Sequence, residues 1–87
     1  MIGRDRLGDK NQDVALLRSK YGGCLLKQKR FDKAQEELLA ALPILRSTLG
    51  DRDKRTQKTL RFLAELYEAR DRLGEAAKYR AFLLPLK

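Results

Sequence analysis

Histidine and tryptophan are absent from this 87-residue chain, and cysteine occurs once. Each absence removes a class of chemistry. Without histidine and with one thiol, the chain cannot assemble a structural zinc site of the usual Cys/His kind, nor a Ser-His-Asp or Cys-His nucleophile set. The lone Cys24 excludes an internal disulfide and fits a reducing cytoplasm. Phosphate loops are missing as well. Gly8 and Gly50 are not followed by Gly-Lys-Ser/Thr, and Gly22-Gly23 lies inside a helical pattern. Adjacent carboxylates such as Glu36 and Glu37 point about 100° apart on a helix and share no site. No apolar run approaches the ~20 residues that cross a bilayer. The start, Met1 to Lys10, carries both charge signs, unlike a signal or transit peptide. The expectation is a cytoplasmic protein with no catalytic residues, no cofactor, no metal and no membrane partner.

What the chain has is charge and repetition. Apolar residues make up 43% and charged residues 37%, with a formal net charge of +8. That mixture suits a soluble helical protein rather than a disordered one. A chain this short forms one small domain, burying roughly 60–65% of its unfolded surface. Leu7-Gly8-Asp9 recurs as Leu49-Gly50-Asp51, an offset of 42 residues. The same offset carries Gly22 onto Ala64, Arg30 onto Arg72, Phe31 onto Leu73 and Ala34 onto Ala76. A fixed period of this size marks stacked supersecondary units.

The periodicity is helical throughout and predicts an all-α fold. Helices are expected near residues 13–28, 31–49, 54–70 and 73–84. In the first, Val14, Leu17, Tyr21, Cys24, Leu25 and Gln28 follow an i, i+3, i+4, i+7 course, with Asp13 as N-cap. The second carries the stripe Phe31, Ala34, Leu38, Ala41, Leu45 and Leu49, beside a second stripe of Leu39 and Leu42, so it must bury two faces. Pro43 removes one bond of that helix and predicts a kink. The third presents Leu60, Leu63, Leu66 and Tyr67, capped by Asp53 or Thr56. The fourth presents Leu73, Ala76, Ala77, Tyr79, Leu83 and Leu84, stopped by Pro85. Short turns near 28–30, 50–53 and 70–74 make neighbouring helices antiparallel. The expected organisation is a polar linker over 1–10, repeat 1 over 11–49 and repeat 2 over 50–87, two helix–turn–helix units stacked as a short α-solenoid.

Tyr21-Gly22 with Leu25, then Ala34, Leu38 and Ala41, resembles the tetratricopeptide repeat, and Leu63-Ala64 with Tyr67 and Ala76 looks like its next copy. The 42-residue spacing with a Leu-Gly-Asp linker is similar to the longer kinesin-light-chain type, common in bacterial multi-repeat proteins. Leu66-Tyr67-Glu68-Ala69 followed by Glu75-Ala76-Ala77-Lys78-Tyr79-Arg80 resembles the last repeat of bacterial proteins that join such arrays to serine/threonine kinase domains. The resemblance spans Leu7 to about Pro85 and implies a protein-interaction scaffold. There are departures. The His-Pro pair usual after the linker is replaced by Asn11-Gln12 and Asp53-Lys54, which predicts fraying at the starts of helices 1 and 3. The Asn pair that often lines the family groove is replaced by Ser19-Lys20 and Arg61-Phe62, so family ligands do not carry over. Asp71 stands where a turn Gly is common, which predicts an altered bend before helix 4.

The remaining residues admit two readings each. Cys24 and the three tyrosines, Tyr21, Tyr67 and Tyr79, are expected in the core by their spacing rather than as reactive or stacking groups. Gly22 is expected to permit close helix approach, as its counterpart Ala64 does. The basic clusters Lys27, Lys29, Arg30, Lys33 and Arg52, Lys54, Arg55, Lys58, Arg61 either solvate the surface or bind. If helices 1 and 3 line the concave side, as the resemblance implies, Lys20, Lys27, Lys58 and Arg61 face the groove and suit an acidic peptide or protein partner. The competing reading is a basic helical nucleic-acid-binding protein. Against it, no free helix face carries base-reading residues, and the tyrosines are committed to packing. With two repeats and apolar edges at Leu16, Leu26, Tyr79, Phe82 and Leu83, a homodimer or docking onto a larger repeat protein is expected.

Overall fold

The computed structural model describes residues 12–84, which form four helices: α1 Gln12–Lys27, α2 Phe31–Thr48, α3 Lys54–Ala69 and α4 Leu73–Arg80. The first Leu-Gly-Asp, the linker over 1–10 and Pro85 lie outside the described residues. Helix α1 packs on α2 and α3 on α4, as two antiparallel hairpins. The hairpins stack through α2 on α3 and α1 on α3. Leu25, Leu38, Leu42, Leu60, Leu63, Leu66 and Tyr67 form the central cluster with Ala34 and Ala76. A second cluster joins Ala15, Ala41 and Leu45. Each leucine so buried stabilises the fold by about 1.5–3 kcal/mol.

The stripes expected for α2 and α3 are the ones buried. That of α1 is not. Val14 is half-buried and Leu17, Tyr21 and Cys24 are exposed, while Ala15, Ser19, Gly22, Gly23 and Leu25 face inward. The reason is steric. A methyl group on Gly22 would stand 2.7 Å from Leu38 Cγ, and one on Gly23 would stand 2.6 Å from the Phe62 ring. Helix α1 therefore offers its smallest face to its neighbours, and its larger side chains turn outward. Tyr67 is buried and stacks on half-buried Tyr79, with ring centroids 5.6 Å apart. Burial pushes the Tyr67 phenol above its ordinary pKa, and the adjacent Tyr79 adds to the shift.

The turns inside the two hairpins repeat in detail. The N–H of Arg30 donates to the Leu25 carbonyl (2.9 Å) and that of Lys29 to Leu26 (2.9 Å). At the 42-residue offset, Arg72 donates to Tyr67 (2.7 Å) and Asp71 to Glu68 (3.0 Å). Lys29 and Asp71 both have φ of 64°. These are the paired bonds of a left-handed helix stop. The bend before α4 is thus the same as the bend before α2, not an altered one. Asp71 satisfies it because Asp tolerates the left-handed region better than most side chains.

The surviving Leu-Gly-Asp has a separate job for each residue. Leu49 packs against the Ala41–Leu45 cluster. Gly50, at φ 89°, closes α2 by donating to the carbonyls of Leu45 and Arg46 (3.2 and 3.1 Å). The Asp51 carboxylate accepts from Arg46 Nε (2.9 Å). The start of α3, where fraying was expected, has a side-chain cap. Asp53 caps it, accepting from the Arg55 N–H (2.8 Å). Helix α4 stops at Arg80, short of the expected 84. Buried Gln57 accounts for this by donating to the Phe82 carbonyl (3.1 Å) and accepting from the Leu84 N–H (2.7 Å), which draws the backbone off the helical path.

Two predictions follow from these contacts. Lys29→Gly relieves a lysine held at positive φ and raises stability by about 0.5–1 kcal/mol in urea unfolding, with a smaller gain for Asp71→Gly. Gly22→Ala lowers it by about 1–2 kcal/mol, because overpacking against fully buried Leu38 outweighs the gain in helix propensity.

Candidate functional site

Helices α1 and α3 run side by side and leave a groove of about 390 Å³ between them. On α1 it is lined by Leu16, Ser19, Lys20, Gly23, Cys24 and Lys27. Their spacing of three, one, three, one and three places all six on one face of a helix. On α3 the lining is Arg55, Lys58 and Phe62, spaced i, i+3 and i+7. The groove is thus two facing helical stripes.

Its floor is set by the same close approach that orders the core. Because Gly23 lacks a side chain, the Phe62 ring lies directly against the α1 backbone. One turn away, Ser19 and Thr59 hydroxyls bond to each other in the buried interface. The Thr59 proton goes to the Arg55 carbonyl (3.1 Å), so Ser19 is the donor of that pair. These contacts hold α1 and α3 at a fixed separation. The rim is cationic, with Lys20 and Lys27 on one wall and Arg55 and Lys58 on the other, and the lining contains no carboxylate. The Lys58 ammonium stands 6.0 Å from the Phe62 ring centre.

Three of the four residues expected at this site come together here: Lys20, Lys27 and Lys58. Arg61 is exposed but does not line the groove. At about 100° per residue it falls roughly a quarter-turn to one side of the 55, 58, 62 stripe. Arg55 takes the place that Arg61 was expected to fill, and the i, i+3, i+7 relation to Lys58 and Phe62 is the signal for it. Cys24, expected in the core, is exposed at the groove wall.

The cations differ in how free they are. Arg55 is held by Asp53 through two contacts, Nε to Oδ1 (3.1 Å) and Nη2 to Oδ2 (3.2 Å). The Arg55 side chain and backbone N–H hold the Asp53 carboxyl below its ordinary pKa, and the Arg55 guanidinium is raised in turn. Among the described residues, no ion pair engages Lys20, Lys27 or Lys58. In the cluster at the first turn only Lys33 is paired, with Glu36 (3.9 Å), while nearby Asp32 is taken by Arg70 (2.9 Å) and Lys29 and Arg30 are in no ion pair. Cations in no ion pair thus line the groove, and others of the same kind, among them Arg30, Arg52, Lys54, Arg61 and Arg72, lie elsewhere on the described surface. Among the described residues, no group of three or more His, Cys, Asp or Glu side chains could hold a metal ion, and no helix is long and apolar enough to cross a membrane.

A family model described as tetratricopeptide repeat matches residues 13–79 of the chain. No curated protein and no solved structure matches it.

The Asp53 cap gives the site a pH dependence. Its lowered pKa contributes stability that is present above the unfolded carboxyl value of 3.8 and is lost as pH falls through the folded value. Asn also caps helices but does not titrate. Thermal melts from pH about 5 to about 2 should therefore fall less steeply for Asp53→Asn than for the native chain.

Proposed function

The chain belongs to the tetratricopeptide repeat family, and from that premise we propose that it is a non-catalytic protein–protein interaction module whose α1–α3 groove takes an acidic peptide segment. One observation carries the reading: the groove is rimmed by four cations, three of them without an ion-pair partner, over a floor of Leu16 and Phe62. Lysines at the edge of an apolar slot attract carboxylates more strongly than fully solvated lysines do, because the local dielectric is lower. They also steer an acidic partner during its approach. In this reading Lys20 and Lys27 on α1 face Lys58 and Arg55 on α3, so an extended acidic segment lying between the helices meets positive charge on both sides. Arg61 stands beside this path and contributes to steering rather than contact.

A cytoplasmic location is part of the same proposal. Its support is the single Cys24, which a reducing compartment leaves as a thiol.

The test is fluorescence anisotropy with a labelled Glu/Asp-rich peptide. The double reversal Lys20→Glu with Lys58→Glu should weaken binding by about a hundredfold, on the order of tenfold per reversed contact. Thermal stability should move little, since both side chains are exposed. Arg61→Glu should have the smaller effect and act mainly on the association rate. Unchanged binding in the double variant sinks the groove assignment. Displacement of the peptide by a single-stranded oligonucleotide, with affinity falling linearly in a log–log salt plot, would instead favour the nucleic-acid reading.

A further inference from the structure

Gln57 lies on α3 outside the groove lining, and its buried side chain is committed entirely to backbone. Nε2 donates to the carbonyls of Asp51 (2.7 Å) and Phe82 (3.1 Å), and Oε1 accepts from the Leu84 N–H (2.7 Å). The Asp51 bond fixes the amide to the turn before α3. Its other donor and its acceptor grip one stretch of main chain, a carbonyl and the N–H two residues on. A strand residue makes the same pair of bonds with a parallel neighbour. The side chains of the held stretch are seated too. The Phe82 ring centre lies 4.4 Å from the Arg46 guanidinium carbon, and Leu83 packs against the central cluster. Arg46 is itself anchored by Asp51 (2.9 Å).

We propose that Gln57, Arg46 and the Asp51 turn form a receptor for a short peptide segment of the pattern aromatic-apolar-apolar. The chain fills it in cis with its own Phe82-Leu83-Leu84, and a second segment of that pattern can replace this strap. Both Gln57 bonds to the strap go to main chain, so they tolerate any side chain. Selection falls to the Arg46 guanidinium, which favours an aromatic face, and to the apolar seat under Leu83. The site also demands an occupant, because an empty one would leave a buried amide donor and acceptor unpaired. The strap meets that demand incompletely. Among the described residues no acceptor reaches the buried Arg46 Nη2, and Phe82 and Leu84 stay 40% and 43% exposed. What holds so partial a ligand is its tether. Phe82 follows the end of α4 at Arg80 by two residues, which keeps the strap at an effective concentration on the order of millimolar.

The test is amide hydrogen exchange on the isotope-labelled full chain, with an unlabelled synthetic peptide of residues 80–87 as the competing segment. Exchange at the Leu84 N–H should be slowed about a hundredfold in the native chain. Gln57→Leu should remove that protection while the buried Leu63 amide keeps its own. A millimolar excess of peptide should displace the strap and speed exchange at the chain's Leu84 by more than about tenfold, since it then matches the effective concentration of the tether. The peptide N-methylated at Leu84 cannot donate to Gln57 and should leave the rate unchanged, whereas N-methylation at Leu86 should preserve the effect. A Leu84 amide that is unprotected in the native chain, or one that excess peptide does not accelerate, overturns the proposal. Equal displacement by the Leu84 N-methyl peptide also overturns it, because the seat would then be apolar contact alone. Should Gln57→Leu also lose protection at Leu63, the variant has unfolded and the peptide series on the native chain decides.

Discussion

The absence of side chains at Gly22 and Gly23 governs the rest of the structure. Two helices can approach until their nearest atoms touch, and a methyl group at either position would already lie under 3 Å from a neighbour. Gly22 sets the distance from α1 to α2, through Leu38. Gly23 sets the distance from α1 to α3, through Phe62. With both distances fixed by small residues, the rotation of α1 about its own axis is fixed too, since only one face of it is small enough. That rotation sends Leu17 and Tyr21 outward, brings Cys24 to the groove wall, and lets the Phe62 ring rest against the α1 backbone. Adjacent glycines cost about 1 kcal/mol each in helix propensity, and the close contact with buried Leu38 and half-buried Phe62 offsets that cost.

How much of this the sequence made legible follows from what kind of residue does the packing. Helices α2 and α3 are held by leucines at helical spacing, so the apolar pattern named their buried faces. In α1 the buried residues other than Leu25 are Gly, Ser and Ala, which carry almost no hydrophobic signal, while the conspicuous stripe of Val14, Leu17, Tyr21 and Cys24 stays exposed or half-buried. Periodicity weights a residue by its hydrophobicity, but close approach selects for size. The two criteria agree in most helices and disagree here. The end of α4 escaped for a different reason: Gln57 acts on backbone 25 and 27 residues away, and no local pattern near Arg80 announces it. The groove was partly readable. Lys20, Lys27 and Lys58 were placed by the repeat architecture, whereas choosing Arg55 over Arg61 requires knowing the rotation of α3.

The charge distribution bears on function because the cations are not equivalent. Arg18, Arg46, Arg70 and Arg80 each contact a carboxylate of another segment. Exposed pairs of this kind contribute roughly 0–1 kcal/mol apiece, so their larger consequence is local neutralisation. Among the described residues the groove lysines are in no ion pair, but neither are Lys29, Arg30, Arg52, Lys54, Arg61, Arg72 and Lys78, so the +8 is shared between the groove and the rest of the surface. A net charge read from composition alone cannot distinguish a uniformly basic surface from a neutral one with a basic slot. The described residues fit neither extreme, and a partner entering the groove would be selected by shape as well as by sign.

The same glycine that seats Phe62 couples recognition to stacking. The ring of Phe62 is at once the floor of the groove and part of the contact between the two hairpins. A partner that presses on the ring presses on the α1–α3 separation, and a change in that separation alters the spacing of Lys20 and Lys27 from Lys58. Few side chains are available to absorb such a change. The neighbouring Ser19–Thr59 bond is buried, and breaking it would strand two hydroxyls away from water at a cost of about 1–3 kcal/mol each. The hairpins should therefore resist being parted, and selectivity should come from a pre-shaped groove rather than from one that opens to fit.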